Sequence, residues 1–258
     1  MDRINPSVLV SEFHHGHAAN PEIAESIPLR KTERLPFTIR IAVDDELLQK
    51  AVVMRQMAYG RHLPEFASKM TVEQGDCDPG TVVLLAQSKL DGGPLGTMRI
   101  QTNGFAPLAV EQSVQLPDWL QGSRMAEATR LGVAGGMIGR MVKIGLCKAL
   151  YLYCRQQQID WMVITARSPL DREYEAMLFG DVFGQNEFLP MSHVGGLPHR
   201  VMAKPVAVAR ERWAEVRHPL FKFVFQTHHP DIDLSRVDLS FARETVGCLE
   251  APQMVHGR

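Results

Sequence analysis

The sequence predicts a single α/β (α+β) domain built on a mixed, mainly antiparallel sheet. Two observations carry that expectation. Segments with the two-residue apolar period of strands alternate with segments of helical period through the middle of the chain. One pair of strand-like runs is joined by Asp91-Gly92-Gly93-Pro94, a hairpin turn that demands antiparallel pairing. The chain has 258 residues, 45% of them hydrophobic, which is enough apolar material for a sizeable core.

The elements follow in order. Residues 1–35 read as a polar, Pro- and His-containing flexible leader. Phe37-Thr38-Ile39-Arg40-Ile41-Ala42-Val43 alternates as a half-buried strand does. Asp44 or Asp45 then caps a helix that carries Leu47, Leu48, Ala51, Val52, Arg55 and Tyr59. Thr81–Ala86 and Leu95–Ile100 form the hairpin, and Ala126–Val133 is a further strand ending at Gly135-Gly136. A helix with apolar positions from Met137 to Tyr153 follows it. Trp161-Met162-Val163-Ile164 is a buried strand, Asp171–Leu178 a short helix, and two strands lie near Phe188-Leu189 and over Val201–Val208. This core spans residues 36–230, and residues 231–258 read as a peripheral tail.

Composition excludes several function classes. Lys+Arg 28 against Asp+Glu 29 leaves a net charge of -1, so no global basic field attracts nucleic acid. No apolar run reaches the roughly 18 residues of a membrane span, and the start of the chain lacks a secretory pattern. Four widely spaced cysteines without a C-x-x-C pair predict reduced thiols and a cytoplasmic protein. Cys147 and Cys154, seven apart, share a helix face and should pack in the core. The cluster His14-His15-Gly16-His17 has no acidic or cysteine partner at ligand spacing, so no metal is expected.

G-x-S-x-G, Walker A and H-E-x-x-H signatures are absent. What remains is a strand running into a Gly-rich turn and a helix, from Glu127 to Arg140. Unpaired N–H groups at such a helix start suit a phosphate, and Arg140 one turn further in adds a charged donor. Packing alone is the competing explanation for these glycines.

Read with its neighbours, this junction resembles the GNAT-type N-acyltransferases, in the branch of autoinducer (acyl-homoserine lactone) synthases and long-chain N-acyl amino acid synthases. Arg55 with Tyr59 is similar to that branch's Arg-x-x-x-aromatic pair. Glu73, Asp76 and Asp78 resemble its acidic cluster, Gly96-Thr97-Met98-Arg99 its Gly-x-x-Arg strand, and Glu127-Ala128-Thr129-Arg130 its Glu-x-Ser/Thr-Arg block. The resemblance implies a GNAT-like mixed, mainly antiparallel splayed sheet with helices on both faces, and a bulge in the strand carrying Glu127. Three features depart from the pattern. The acidic spacing is Glu-x-x-Asp-x-Asp, the tryptophan after the first helix is replaced by Phe66 as nearest aromatic, and the turn is not the acetyl-CoA type. These departures argue against S-adenosylmethionine as acceptor and acetyl-CoA as donor.

The expected activity is transfer of a medium or long acyl chain from an acyl carrier protein or acyl-CoA thioester to the amine of an amino acid or similar metabolite. The rivals are acyl-homoserine lactone synthesis and a non-catalytic acyl-binding protein. Glu127 and Arg130 are the catalytic candidates, with Glu127 as base directly or through water. Glu127 and Arg130, three apart, converge only if a bulge breaks the strand's alternation. Arg55, Tyr59, Asp76, Asp78, Arg99 and Phe105 are the acceptor-side candidates, although Arg55, Asp76 and Asp78 also fit a purely structural ion network. Val133, Gly135, Gly136, Gly139 and Arg140 are the candidates for the phosphopantetheine arm of the donor. No tightly bound cofactor is expected, and the acyl-carrier phosphopantetheine or acyl-CoA serves as co-substrate. Arg140, Lys143, Lys148 and Arg155 would offer a carrier protein a basic helix face. His193 and His199 flank a Gly-rich loop near the last strand. Leu108, Val110, Val114, Leu116 and Trp119, with Met137, Met141 and Met162, are read either as core or as an acyl channel.

Overall fold

A computed structural model describes residues 31–235. In chain order the strands and helices are β1 Lys31–Thr32, β2 Phe37–Ile41, α1 Asp45–Gly60, α2 Pro64–Ala67, β3 Thr81–Ser88, β4 Pro94–Thr102, α3 Ala109–Ser113, β5 Met125–Val133, α4 Gly136–Gln156, β6 Trp161–Ala166, α5 Leu170–Ala176, β7 Gly180–Asp181, β8 Leu189–Met191, β9 Leu197–Pro205, α6 Ala209–Glu215, β10 Thr227–His228 and β11 Ile232–Asp233. A 3₁₀ turn at Gln74–Asp76 and another at Ser192–Val194 complete the loops that matter below.

The described chain forms two compact units. Unit I takes residues 35–106, 128–153 and 231–235; unit II takes residues 31–34, 107–127 and 154–230. Strand β5 and helix α4 each begin in one unit and end in the other.

In unit I, β2 pairs antiparallel with β3 and β3 with β4, while β11 lies parallel to β2. The register decides which helix covers which face. Ile39 sits opposite Ala86 and Ala86 opposite Gly96, so these three share one face. That face meets α4. A Cβ on Gly96 would lie 2.4 Å from Val142, and one on Gly145 would lie 2.9 Å from Ile39. Leu85 and Val83 point the other way and pack with Leu48 and Ala51 of α1. Helices therefore cover both faces, and Arg99, opposite Val83, lies under α1. Asp44 caps α1, its Oδ1 accepting the Leu47 N–H at 2.9 Å.

In unit II, β6, β7 and β8 all pair antiparallel with β9. Their core gathers Leu108, Val110, Leu116, Leu120, Met125, Val163, Met191 and Val201. The short β1 pairs parallel with β10.

Several local features differ from expectation. The last long strand runs over Leu197–Pro205, not Val201–Val208, because Ala209 onward begins a helix the periodicity did not reveal. Residues 231–233 are bound into the sheet rather than peripheral. Asp231 accepts the Leu35 N–H at 2.7 Å, its carbonyl accepts the Ile39 N–H, and Lys89 pairs with its carboxylate. The rest of the expected tail and most of the leader, with its histidines, lie outside the described residues. Cys77 is disulfide-bonded, which corrects the expectation of reduced thiols throughout. Cys147 and Cys154 are free, Cys154 fully buried with its thiol pKa pushed up by burial. Among the described residues no helix is long and apolar enough to cross a membrane, and no group of acidic, His or Cys side chains has the makings of a metal site.

Candidate functional site

The polar centre of unit I is built on one face of α1. Leu48, Ala51, Val52 and Arg55 fall at helical spacing and are all buried, so the turn that seals the core also drives a guanidinium into it. Such a charge persists only when fully paired. Asp76 supplies the pair, receiving Arg55 Nη1 at 2.7 Å and Nη2 at 2.8 Å in a bidentate fork. The 3₁₀ turn holds Asp76 in place, since its Oδ2 also caps the Glu73 N–H at 3.0 Å.

Glu73 is the keystone of the remainder. It accepts Arg99 Nη1 at 2.8 Å and Arg130 Nε at 3.0 Å, with Arg130 Nη2 at 2.9 Å. Arg99 also gives its Nε to Thr129 Oγ1 at 3.1 Å and stands 3.6 Å from Asp76. Three guanidiniums thus share two carboxylates. Thr129 and Arg130 are adjacent on β5, where regular alternation would send them to opposite faces. Arg130 has φ 54, a left-handed conformation rare for a residue with a side chain. That local reversal brings both neighbours into the same network.

Burial by itself would raise the Asp76 pKa, but the Arg55 hydrogen bonds and charge, the Glu73 N–H and Arg99 hold it below its ordinary value. Burial and the nearby Arg130 lower that of Arg99. In Arg130 burial is outweighed by Glu73, and its pKa rises. Tyr59, packed 6.1 Å from the Phe66 ring, has its hydroxyl pKa raised by burial against the pull of Arg130 and Arg55.

Not every acceptor-side candidate joins this network. Asp78 takes only a 3.3 Å contact from Gln74 and stands apart from the arginines, because the 3₁₀ turn presents Glu73 and Asp76 on one side. Phe105 is 59% exposed, its ring lying over Gly80. Glu73 and Thr129 are the participants that no candidate role was given. The signal for Glu73 was its place in the Glu-x-x-Asp-x-Asp cluster.

Glu127, in unit II, is 0% exposed. Its Oε2 accepts the Val110 N–H at 3.1 Å, a donor in the first turn of α3. His193 and His199 approach each other at 6.5 Å between ring centroids, and burial lowers the His199 pKa.

At the donor-side turn, Gly136 has φ 72 and begins α4, which has no acidic residue in its first turn. Gly135, Gly136 and Arg140 are exposed, leaving a 21-residue helix start open to an anion. Gly139 has a packing reason: a Cβ there would fall 1.7 Å from the Ala134 carbonyl oxygen. Val133 is half-buried against the site of Gly96. Of the basic residues on α4, Lys148 is buried and leaves the surface to Arg140, Lys143 and Arg155. Leu108, Val110, Leu116 and Met162 are core, while Met137 is 71% exposed and Met141 lies on the same outer side.

The family model of the N-acyl amino acid synthase FeeM matches residues 46–202, which carry every residue of the network and the turn. The chain belongs to the FeeM N-acyl amino acid synthase family. It is therefore an N-acyltransferase. The structure of FeeM, an N-acyl amino acid synthase from uncultured soil microbes, superposes with a TM-score of 0.56 at 17% identity, covering 70% of this chain and 96% of that one. The fold is that of the FeeM structure, with a mostly antiparallel sheet and helices. A GNAT-family acetyltransferase from Staphylococcus aureus gives a TM-score of 0.44 at 14% identity, covering 66% and 99%. The CoA-dependent acyl-homoserine lactone synthase BjaI, solved with S-adenosylmethionine and isopentyl-CoA, gives 0.46 at 14%, covering 79% and 98%. No curated protein sequence matches the chain.

Proposed function

We propose that this N-acyltransferase moves a medium or long acyl chain from a phosphopantetheine thioester to the amine of an amino acid. The observation that carries this reading is the surplus of cation in the unit I network, where Arg55, Arg99 and Arg130 face only Glu73 and Asp76. A network one negative charge short is suited to an anionic acceptor such as a carboxylate. Arg55, whose Nη1 and Nη2 both go to Asp76, serves as the structural anchor of the site.

Glu127 takes one proton from the acceptor's ammonium, directly or through a water, and the freed nitrogen lone pair attacks the thioester carbonyl. Backbone N–H groups stabilise the oxyanion of the tetrahedral adduct. The attack forms the C–N bond, and collapse of the adduct restores the carbonyl and breaks the C–S bond. The departing thiolate takes up the second amine proton and leaves as the thiol. The phosphate of the donor arm rests on the exposed start of α4 beside Arg140, a chemistry common to acyl carrier protein and CoA. The protein is cytoplasmic in this reading, where both donors reside.

The test supplies wild type and Glu127→Gln with acyl-carrier and acyl-CoA donors against a panel of amino acids, reading products by mass spectrometry. An N-acyl amino acid from wild type alone is the expected result. Undiminished product from Glu127→Gln rejects the base, and an acyl-homoserine lactone formed from S-adenosylmethionine rejects the acceptor. Product from only one donor names the carrier. Lipid extracted with the overproduced protein reports both substrates together.

A further inference from the structure

We infer that Ser113 and Ser192 are positioning residues for Glu127: their hydroxyl pair holds helix α3 so that the Val110 N–H stays on the carboxylate. This rests on the reading of Glu127 as base, and it concerns two residues that touch neither the reacting atoms nor the arginine network.

The helix that delivers the N–H is only five residues long, Ala109–Ser113. A helix of that length is not stable by itself in water, so its place is set by what it is tied to. At its start the Leu108 N–H is capped by Glu111 Oε2 at 2.7 Å, and the Val110 side chain is buried beside Met191 and Val201. At its end is Ser113. The Ser113 hydroxyl donates to the Ala109 carbonyl at 2.8 Å, which commits its one proton. The 2.8 Å contact to Ser192 Oγ is then a bond donated by Ser192, whose backbone N–H also reaches Ser113 Oγ at 3.2 Å. His193 Nδ1 stands 3.4 Å from the same oxygen. One oxygen thereby joins the last residue of α3 to the 3₁₀ turn Ser192–Val194, which β8 and β9 hold between them through their antiparallel pairing.

The consequence is mechanical. Val110 and Ser113 are three residues apart, neighbours on a helix surface, so a rotation of α3 that releases Ser113 displaces the Val110 N–H. A base displaced by a fraction of an ångström loses turnover without losing substrate affinity.

Ser113→Ala removes the shared acceptor, and alanine is the better helix former, so α3 itself is not weakened. Ser192→Ala removes one of the two donors. Steady-state kinetics with the best acyl donor and amino acid should show kcat about tenfold lower for Ser113→Ala and less reduced for Ser192→Ala, with both KM values unchanged. Ser113→Thr, which keeps the oxygen, should restore most of the loss. The melting temperatures of all three should stay near wild type, showing that the effect is not loss of fold. An unchanged kcat in Ser113→Ala, or a fall in kcat accompanied by an equal fall in Ser113→Thr, overturns the inference. Glu127→Gln assayed in parallel separates the two ideas. If it retains turnover, the base assignment fails; if it is inactive while Ser113→Ala is fully active, only the positioning role fails.

Discussion

At the scale of the residue, Asp76 shows how a paired guanidinium turns a buried acid into a stabilising charge. Its carboxylate lies beside Arg55, both almost wholly buried, and its pKa is held below the ordinary 3.8. A group depressed in the folded state adds stability that is complete above its unfolded pKa and is lost as pH falls through its folded value. Melting temperature should therefore drop as the pH is lowered from about 5 toward 2, and Asp76→Asn should flatten that descent. At neutral pH the same variant leaves Arg55 buried against a neutral amide and should cost about 3–5 kcal/mol in denaturant unfolding. Arg130 is the complementary case. Arg130→Lys keeps the charge but loses the fork to Glu73, so KM for the amino acid should rise about tenfold with little change for the donor. An unchanged acceptor KM would remove Arg130 from carboxylate binding.

Elements meet here through missing side chains. Helix α4 approaches β4 so closely that a Cβ on Gly96 would stand 2.4 Å from Val142 and 3.2 Å from Leu146. Gly96→Ala should destabilise by about 1–3 kcal/mol. The clash is with one side chain, so adding Val142→Ala should recover part of that loss, and the double variant should be less unstable than the sum of the singles. Additive losses in a chemical-denaturation cycle would mean that the backbone, not Val142, resists the extra carbon. The hairpin, the capped first helix and the Gly-rich entry to α4 were all legible in the sequence, because each depends on local chemistry. Asp44 before a helical run, Asp91-Gly92-Gly93 between strands and Gly135-Gly136 after a strand carry their own explanation. The helix at Ala109–Ser113 was not legible, since five residues hold no periodicity and this one exists through Glu127, Ser192 and the core around Val110.

Across the whole chain, residues distant in sequence close the structure. Asp231 ties the Leu35 N–H, Lys89 and β2 together, although its surroundings in sequence read as a tail. A chain ending at residue 230 should melt at a lower temperature than one ending at residue 235, and equal melting would make β11 dispensable. The residue types of the site were also legible: Arg55, Asp76, Arg99, Glu127, Thr129 and Arg130 stand in recognisable motifs, all within the residues that the family model matches. Their partnerships were not. Glu73 rather than Asp78 completes the network, because a 3₁₀ turn, not the spacing of acids, selects which carboxylates face the arginines. The sequence alone determined the alternation of strands and helices, the capped and glycine-marked turns, and the family, all of which follow from short-range pattern. Only tertiary structure decided that Arg130 reverses its backbone to reach Glu73 and that Val110 guards Glu127. Those contacts join residues 17 to 57 positions apart, and no local propensity records what the chain meets when it returns.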